Sequence, residues 1–335
     1  MATFYKTLNI DSDIASTRTL IHESIPLTGS IVSGTYSEAN IKTYTHGMFQ
    51  SVYDYPYLSS SANHIFDISC GYSPESSLSG ATGASQESKK INIYNQFRQI
   101  LAGYSTDGTL ADITDNGTST GNNMPELFIL PFSRLLVKDE IKKGSFVITL
   151  GTSTTYATPF ATTASYGDYG ATTTYKANSP AGEFAPLYSS PSSTTPVGHV
   201  FYQAGVVLIS GSVFGNNFSG SSTVTQTLVS SSINEVANQF RRRIQNVQFN
   251  NTTELNSTIY FCRANNKEFN YSSNPTYVTG SQIVVKNVST DNPVAYVTTV
   301  GLYDSTNNLV AVAKLSEPLR KDPSTELTLR VRLDY

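Results

Sequence analysis

The sequence predicts a mainly β, α+β protein in which residues 231–335 form an antiparallel, β-sandwich-like domain with one long amphipathic helix. The chain ends on a strict alternation of apolar and polar residues, the pattern of a strand with one dry and one charged face. Its apolar positions are Leu327, Leu329, Val331 and Leu333. At the start of the domain the apolar residues are three or four positions apart, which is the spacing of one helical face. They are Ile233, Val236, Phe240, Ile244 and Val247.

Local signals justify the other elements of this domain. Ser231 and Ser232 precede the helix as N-cap candidates, and Glu235 lies in its first turn, where the helix dipole favours negative charge. Four apolar runs then predict strands, and the polar turn 304–308 closes the last two into a hairpin. The runs are Ile259–Cys262, Ile283–Val285, Val294–Tyr303 and Leu309–Leu315.

Residues 1–150 are predicted to form a β-rich region with a second, shorter helix. That helix covers 88–103, and Gly103 is suited to the C′ position. One face is marked by Ile91, Tyr94, either Phe97 or Arg98, and Leu101. Apolar runs bounded by Pro, Gly and charged turns predict the strands of this region. They are Thr17–Gly29, Leu127–Leu130, Leu135–Val137 and Phe146–Leu150.

The middle region, 151–230, is unusually poor in charge. Between residues 144 and 234 the charged residues are Asp168, Lys176 and Glu183. We expect 152–195 to be a loop that can be deleted without loss of the fold, followed by strands at 199–202 and 205–211. Its tyrosines supply rigid contact area and its Ser and Thr supply adaptable hydrogen bonds, a composition typical of interfaces. The interface candidates are Tyr156, Phe160, Tyr166, Tyr169, Tyr175 and Tyr188.

Composition excludes several classes of function. The chain has 335 residues, a net charge of −3 and 14 % charged residues, which argues against a general nucleic-acid role because that needs a basic surface. No apolar run approaches the ~18 residues of a membrane span, and the N-terminus lacks the pattern of a secretory signal. Cys70 and Cys262 fit no metal or redox spacing, so we expect small buried residues.

Motifs for catalysis or metal binding are missing from the sequence. His22, His46 and His64 lie near an aromatic-rich segment, 36–72, but no two of them have the spacing of metal ligands. The aspartates of 104–125 depart from the regular calcium-binding loop. No nucleophile elbow, phosphate loop or dinucleotide fingerprint occurs. The sequence therefore predicts a protein that is not an enzyme, with no cofactor, metal or small-molecule substrate.

The predicted hairpin carries a resemblance. The hairpin resembles a sequence motif of tail-fibre and baseplate-associated proteins of tailed bacteriophages. The motif is matched by Val300-Gly-Leu-Tyr-Asp304, a polar turn and Leu309-Val-Ala-Val-Ala-Lys314. The longer run from Glu254-Leu-Asn-Ser-Thr-Ile-Tyr-Phe-Cys262 through Phe269-Asn-Tyr-Ser-Ser-Asn-Pro275 to Tyr335 resembles virion structural proteins of contractile-tailed phages. The resemblance covers about 255–335 and implies no catalytic residues.

The basic cluster Arg241, Arg242 and Arg243 has two interpretations. Adjacent helical positions point in different directions, so the three arginines do not form one patch by themselves. The first interpretation is that they are solvated or paired with a neighbouring subunit. The alternative is a contact to DNA in a portal or neck channel.

The resemblance implies a non-enzymatic structural subunit of a virion that is assembled in the host cytoplasm. We expect its partners to be other virion proteins and copies of itself, with tail or baseplate preferred to neck, and neck to capsid. The alternative function is a receptor-binding or adhesion protein, whose loop 152–195 contacts a glycan of the host surface.

Overall fold

The computed structural model describes residues 5–28, 38–270, 278–279, 282–283 and 294–335. The chain is mainly β with antiparallel sheets, as the sequence predicts. It forms two compact units. The central unit is Ile21–Thr253, and the terminal unit combines Met1–Leu20 with Glu254–Tyr335.

The described helices and strands have the following bounds in chain order. The first are α1 Ile10–Asp13, β1 Ile14–Thr28, β2 Ile41–Thr43, β3 Gln50–Tyr53, β4 His64–Tyr72, α2 Glu87–Leu101, β5 Glu126–Pro131, α3 Arg134–Val137 and β6 Glu140–Ile141. Then come β7 Val147–Gly151, β8 Thr163–Gly167, α4 Ala171–Thr174, β9 Lys176–Ser179, β10 Gly182–Tyr188, β11 Pro196–Phe201, β12 Val206–Ser210, α5 Val224–Ser230 and α6 Ile233–Arg241. The last are β13 Ile244–Ala264, β14 Val278–Thr279, β15 Gln282–Ile283, β16 Ala295–Tyr303, β17 Leu309–Lys321 and β18 Leu327–Asp334.

One sheet has the strand order β1-β13-β7-β8-β10-β11-β12-β5-β4-β3-β2, with β6 and β18 paired to β13 and β9 paired to β10. β1 and β13 have residues in both units. Two further antiparallel pairs, β14–β15 and β16–β17, are separate from this sheet. The central unit is therefore built on neighbouring antiparallel strands.

The core of the central unit is aromatic. The ring of Phe128 on β5 stacks on that of Phe240 on α6, with centroids 4.4 Å apart, and lies 5.7 Å from the rings of Phe214 and Phe218. Residues 127–130 are all 0 % exposed. A strand that is buried on both faces needs a continuous apolar run, which explains why β5 shows no alternation.

Helix α2 lies close to β4 at Gly71. A Cβ at this position would be 2.6 Å from the carbonyl oxygen of Lys90 and 2.9 Å from the amide nitrogen of Tyr94. A side chain would therefore force the two elements apart. The helix ends as predicted, because Gly103 has φ +80° and donates its N–H to the Arg98 carbonyl oxygen at 3.0 Å.

Lys90 is fully buried, and its ammonium group binds the C-terminal end of α5. Its Nζ donates to the carbonyl oxygens of Ser85 at 2.7 Å, Leu228 at 2.5 Å and Ser231 at 2.7 Å. Carbonyls at a helix C-terminus lack partners within the helix and attract cations. Burial lowers the pKa of Lys90. This side chain joins α2 to the turn between α5 and α6.

The terminal unit buries few apolar side chains. Those that are buried, among its described residues, are Ile259, Val294, Ala295 and Val331. None belongs to the continuous core, whose members extend from Leu27 to Phe249. β18 pairs with β13 from Ser257↔Asp334 to Ala264↔Leu327. The predicted alternation of β18 is confirmed, but its apolar face is only partly covered.

The prediction of one long helix from Ile233 is wrong in its length. α6 ends at Arg241 after nine residues, whereas α2, predicted to be the shorter helix, has fifteen. Ile244 and Val247 lie on β13 and are fully buried. A register shift between Ile244 and Asn246 accompanies the pairing of β13 with β7, so two residues three positions apart are both buried. The predicted cap is confirmed, because Ser232 Oγ accepts the N–H of Glu235 at 3.2 Å.

The expectation that 152–195 is a loop is wrong for much of the segment. It contains β8, α4, β9 and β10, and β10 pairs with β11 from Phe184↔Phe201 to Tyr188↔Pro196. Thr and Tyr favour strands as well as interfaces, so the composition did not separate the two cases. Leu135–Val137, predicted as a strand, lies in α3. Ile283 lies in β15, whereas Val284 and Val285 fall outside the described residues.

Candidate interaction surface

The hairpin β16–β17 confirms the predicted pair of strands, and its turn is organised by Asp304. Asp304 Oδ1 accepts the N–H groups of Thr306 at 2.9 Å and Asn308 at 2.8 Å and the Thr306 hydroxyl at 2.8 Å. These bonds lower the pKa of the carboxyl group. Asn307 has φ +65°, a conformation that Asn tolerates better than most residues. A short carboxylate at position 304 therefore fixes the turn.

Gly301 makes room for the aromatic ring that follows it. A Cβ at position 301 would be 2.9 Å from Tyr303 Cε2 and 3.1 Å from Leu309 Cδ1. The ring of Tyr303 thus covers the glycine on one face of the hairpin, an arrangement known to compensate for glycine in strands. Tyr5 meets the same ring edge-on, with centroids 4.9 Å apart. These contacts explain why the motif Gly-Leu-Tyr-Asp has a glycine two residues before its tyrosine.

The two faces of the hairpin differ in exposure. Register places Gly301 opposite Val312 and Thr299 opposite Lys314, and residues directly opposite one another share a face. The face with Val300, Leu302 and their partners is half-buried. The exposed side chains of the hairpin, which we call the hairpin face, include five large apolar ones beside Thr299, Lys314 and Arg320. Its large exposed residues are Tyr296 (53 %), Tyr303 (46 %), Leu309 (53 %), Val310 (67 %) and Val312 (55 %).

The two strands differ in how their outer edges are protected. β17 carries Lys314, Glu317, Pro318 and Arg320, and charge and proline are common protections of a strand edge. β16 has the sequence AYVTTVGLY, with no charge and no proline. Among the described strands β16 pairs with β17 alone. The hairpin face therefore borders an uncharged strand edge.

Exposed apolar residues are concentrated in the terminal unit. It contains under a third of the chain, yet it carries eleven of the nineteen large apolar side chains that are exposed among the described residues. Outside the hairpin they include Ile10, Leu20 and Tyr335. Exposed apolar side chains that lie close together, as those of the hairpin do, are typical of interaction sites. Sequence reasoning placed the interface in 152–195 and missed this surface.

The aromatic interface candidates occupy different environments in the central unit. Tyr166 is buried at 6 % exposure, and Tyr175 is exposed, with Lys143 Nζ 5.0 Å from its ring centroid. Phe160, Tyr169 and Tyr188 are half-buried. Phe160 and Tyr169 close over Gly151 and Gly167, where an added Cβ would come within 3.0 Å of each ring. These aromatic side chains contribute contacts within the central unit.

The three arginines of the basic cluster, 241–243, also occupy different environments. The guanidinium of Arg242 lies 4.3 Å from the ring centroid of Tyr156, which brings two of the candidates together in a cation–π contact. Arg241 is buried and donates to Asn238 Oδ1 at 3.4 Å. Arg243 is 2 % exposed. Its guanidinium donates to three main-chain carbonyl oxygens, those of Gly151 (3.1 Å), Ser153 (3.1 Å) and Asn217 (2.8 Å).

One cluster combines a hydroxyl, a carboxylate and an imidazole. Asp67 Oδ1 accepts the Ser51 hydroxyl at 2.6 Å and lies 2.8 Å from His64 Nε2. In a nucleophilic triad the imidazole contacts the hydroxyl, whereas here the carboxylate lies between them. His46 stacks on Tyr44 with ring centroids 5.0 Å apart. In the described part of the chain, no three His, Cys, Asp or Glu are grouped so that they could hold a metal ion.

Asp168 is the most perturbed carboxyl group of the central unit. It is 1 % exposed and accepts N–H bonds from Gly144 at 2.6 Å and Phe146 at 3.0 Å, and the Tyr202 hydroxyl at 2.8 Å. Burial raises its pKa to about 6, although these bonds act in the opposite direction. All three donors to the Asp168 carboxylate belong to the protein itself, so this carboxylate stabilises the turn before β7.

His199 and the two cysteines are likewise held inside the fold. His199 Nε2 lies 2.6 Å from the Thr114 carbonyl oxygen, and burial lowers its pKa to about 4, so the ring is neutral at pH 7. Cys70 is a buried free thiol, as the sequence predicts, and burial raises its pKa to about 12. Cys262 is also free but only half-buried, so the prediction of a buried residue holds for Cys70 and only in part for Cys262.

No family model, curated protein or solved structure matches the chain. Within the described residues, no helix has both the length and the apolar character that crossing a membrane requires.

Proposed function

We propose that the chain is a non-enzymatic structural subunit of a tailed-phage virion that assembles through the hairpin face of its terminal unit. The observation that carries the proposal is the contrast between the units. The central unit has a continuous core, whereas the terminal unit buries few apolar residues and exposes most of those that the described chain leaves in solvent. A unit of this kind gains stability when a neighbour covers its apolar surface.

The occupant that we propose for the hairpin face is a second copy of the chain. About half of each of its five large apolar side chains is uncovered, on the order of 100 Å² apiece, which gives roughly 500 Å². A standard interface covers about 800 Å² on each partner, and roughly 65 % of a homodimer interface is apolar, which is about 520 Å². One hairpin face therefore has the apolar area that one half of such an interface needs.

Contact between two copies would also complete the sandwich expected for the C-terminal region. The hairpin is a two-stranded sheet with a half-buried face and an exposed apolar face. Packing two such exposed faces together, about 10 Å apart, gives the double layer of a β-sandwich. Lys314 lies opposite Thr299 and Arg320 opposite Tyr296, so the cations of this face lie away from the turn. The apolar Tyr303, Leu309 and Val310 would form the centre of the contact.

The resemblance of the hairpin motif supports a virion and, within it, tail or baseplate before neck. Arg243 gives no support to a DNA contact, because its guanidinium donates to three carbonyl oxygens of the protein. We therefore propose other virion proteins and copies of this chain as partners, and no nucleic acid.

The test is the mass of the purified protein in solution, measured by light scattering over a range of concentrations. We expect an oligomer that dissociates when Val310 and Val312 are both replaced by glutamate, because charge cannot be buried unpaired at the contact. The matched control is Leu135→Glu on α3, where the wild-type side chain is 71 % exposed in the central unit. Circular dichroism checks that each variant is folded.

Two results would contradict the proposal. One is a wild-type protein that stays monomeric at every concentration, both alone and with lysate from infected host. The other is an oligomer that survives the double substitution but dissociates in Leu135→Glu, since the contact would then belong to the central unit. Incorporation into particles, measured by immunoelectron microscopy, tests the virion part of the proposal separately.

A further inference from the structure

The central unit contains a cavity of about 470 Å³ that the proposed assembly does not use. It lies where β5 and β11 begin and β12 ends, and the start of α5 forms another wall. Together with Asp115, its walls therefore come from five separate segments of the chain. Small-molecule sites typically have ~300–1,000 Å³ and are formed by such convergent segments.

Glu126, the first residue of β5, lines this cavity and is half-buried. Among the described residues its carboxylate has no hydrogen-bond or ion-pair partner, and burial raises its pKa. Withdrawing a carboxylate from water without a compensating donor is unfavourable. Glu126 therefore offers an unpaired carboxylate at the wall of the cavity.

The other acid of the cavity is already engaged. Asp115 accepts the main-chain N–H of Asn122 at 3.0 Å and its side-chain amide at 2.9 Å. Gly211 lies beside the Glu126 carboxylate, and a Cβ at this position would be 3.2 Å from Glu126 Oε2. The missing side chain leaves that oxygen accessible from the cavity.

The remaining walls combine hydroxyl and amide groups with apolar surface, and the apolar surface is the larger share of the lining. Ser212 and Asn216 are exposed at the cavity, and Thr225 contributes a further hydroxyl. Phe214 and Pro196 supply apolar surface. These groups donate and accept neutral hydrogen bonds, and a carboxylate among them accepts stronger ones.

We propose that this cavity binds a neutral sugar of one or two rings, with hydroxyl groups that donate to Glu126. An anion would be repelled by Glu126 and Asp115, and a wholly apolar ligand would leave the Glu126 carboxylate without a donor. A divalent cation needs several oxygen ligands at once, whereas one carboxylate of the cavity is unengaged. A neutral polyhydroxylated ligand satisfies the carboxylate, the amides and the apolar surfaces together.

The test is saturation-transfer NMR followed by titration calorimetry on the full-length protein. The probes are glucose, galactose, mannose, N-acetylglucosamine and disaccharides built from glucose and galactose, each in buffer with EDTA. We expect at least one sugar to bind and its Kd to rise about tenfold or more in Glu126→Gln, since a bond to a charged acceptor is lost. Ser212→Phe should block the cavity, and Ser59→Phe, at an exposed position whose side chain does not line the cavity, is its matched control.

The proposal is overturned if no probe binds the wild-type protein, or if Glu126→Gln and Ser212→Phe bind as well as Ser59→Phe. Binding that occurs only without EDTA would indicate a metal-dependent site and would also overturn it. The Val310→Glu, Val312→Glu double variant should bind the same sugar with an unchanged Kd. This result separates the cavity from the assembly surface, so either proposal can fail alone.

Discussion

Arg243 is the residue of the basic cluster whose replacement should cost the most stability. Replacing it with methionine keeps much of the side-chain volume but removes the guanidinium group. The carbonyl oxygens of Gly151, Ser153 and Asn217 then lose their donor. The same group also lies 5.7 Å and 5.3 Å from the ring centroids of Phe214 and Phe218, so its cation–π contacts are lost as well.

The magnitude follows from the opposing contributions. Each buried carbonyl without a donor costs about 1–3 kcal/mol, and the three together cost at least ~3 kcal/mol. Removing a buried cation returns part of its desolvation penalty. We therefore expect a net loss of about 3 kcal/mol in the free energy of unfolding, which lowers Tm by roughly 6–12 °C in a unit of this size.

Arg242→Met is the matched control. Arg242 is half-buried, and its contact with the Tyr156 ring contributes about 0.5–1 kcal/mol. Urea unfolding followed by circular dichroism, together with calorimetry, measures both variants. Arg243→Lys should fall between them, because a single ammonium group cannot reproduce the planar fork of the guanidinium. A loss below ~1 kcal/mol for Arg243→Met, or equal losses for Arg243→Met and Arg242→Met, would refute the assignment of Arg243 as a buried structural cation.

Four further predictions follow from the contacts described above. The pKa of Asp168 is raised to about 6 in the folded state from an ordinary 3.8. The folded state therefore binds the proton more tightly than the unfolded state, and the free energy of unfolding should fall as pH rises from about 4 to 6. Urea midpoints measured against pH should show this slope in the wild type and a flatter one in Asp168→Asn. Asp304→Ala should loosen the hairpin turn and weaken self-association, as measured by light scattering. Because the pKa of Asp304 is lowered, the stability that this carboxylate contributes to the turn is present above pH ~4 and is lost as pH falls below that value. Glu126→Gln should raise the unfolding free energy by about 1 kcal/mol, because a half-buried carboxylate without donors becomes neutral, and an unchanged or lower urea midpoint would count against an unpaired carboxylate. Deleting 152–195 removes β8, β9 and β10 from the sheet and should give an unfolded or aggregated protein. A soluble product with a native circular dichroism spectrum would contradict the sheet order.

The elements that were predicted well from the sequence are those whose structure is determined by interactions between residues close together in the chain. The hairpin 294–315 needs two apolar runs and a turn, and its Asp304 forms the turn by local hydrogen bonds. The end of α2 at Gly103 and the cap at Ser232 are local in the same way. Such interactions act over a few residues, so the sequence alone is enough to find them.

The errors arose where distant parts of the chain decide the structure. Ile244 and Val247 fit a helical face, but pairing with β7 and a register shift bury both in a strand. In 163–188 the strands lack the usual apolar alternation, and their pairing with β7 and β11 compensates for it. Tertiary context overrides local propensity in both cases.

The candidate sites were predictable only in part for a related reason. The resemblance identified the hairpin motif, but not that Val310 and Val312 would be exposed, because exposure depends on which face the rest of the fold covers. Arg243 was expected to be solvated or paired with a neighbour, and the fold instead directs it towards three carbonyl oxygens. A count of charges cannot distinguish a surface arginine from a buried one.

The distribution of apolar burial explains why one chain would combine two such different units. A unit with a continuous core, such as 21–253, has the apolar burial that folding without neighbours requires, so we expect its cavity to form whether or not the chain assembles. Under the proposed self-association, a unit that leaves Tyr303, Val310 and Val312 in solvent would gain stability from contact with another copy. Assembly would then order the terminal unit while leaving the central unit unchanged. Hydrogen exchange across the two units, compared between the wild type and the Val310→Glu, Val312→Glu variant, should show lost protection in 294–321 and unchanged protection in β4 and β5.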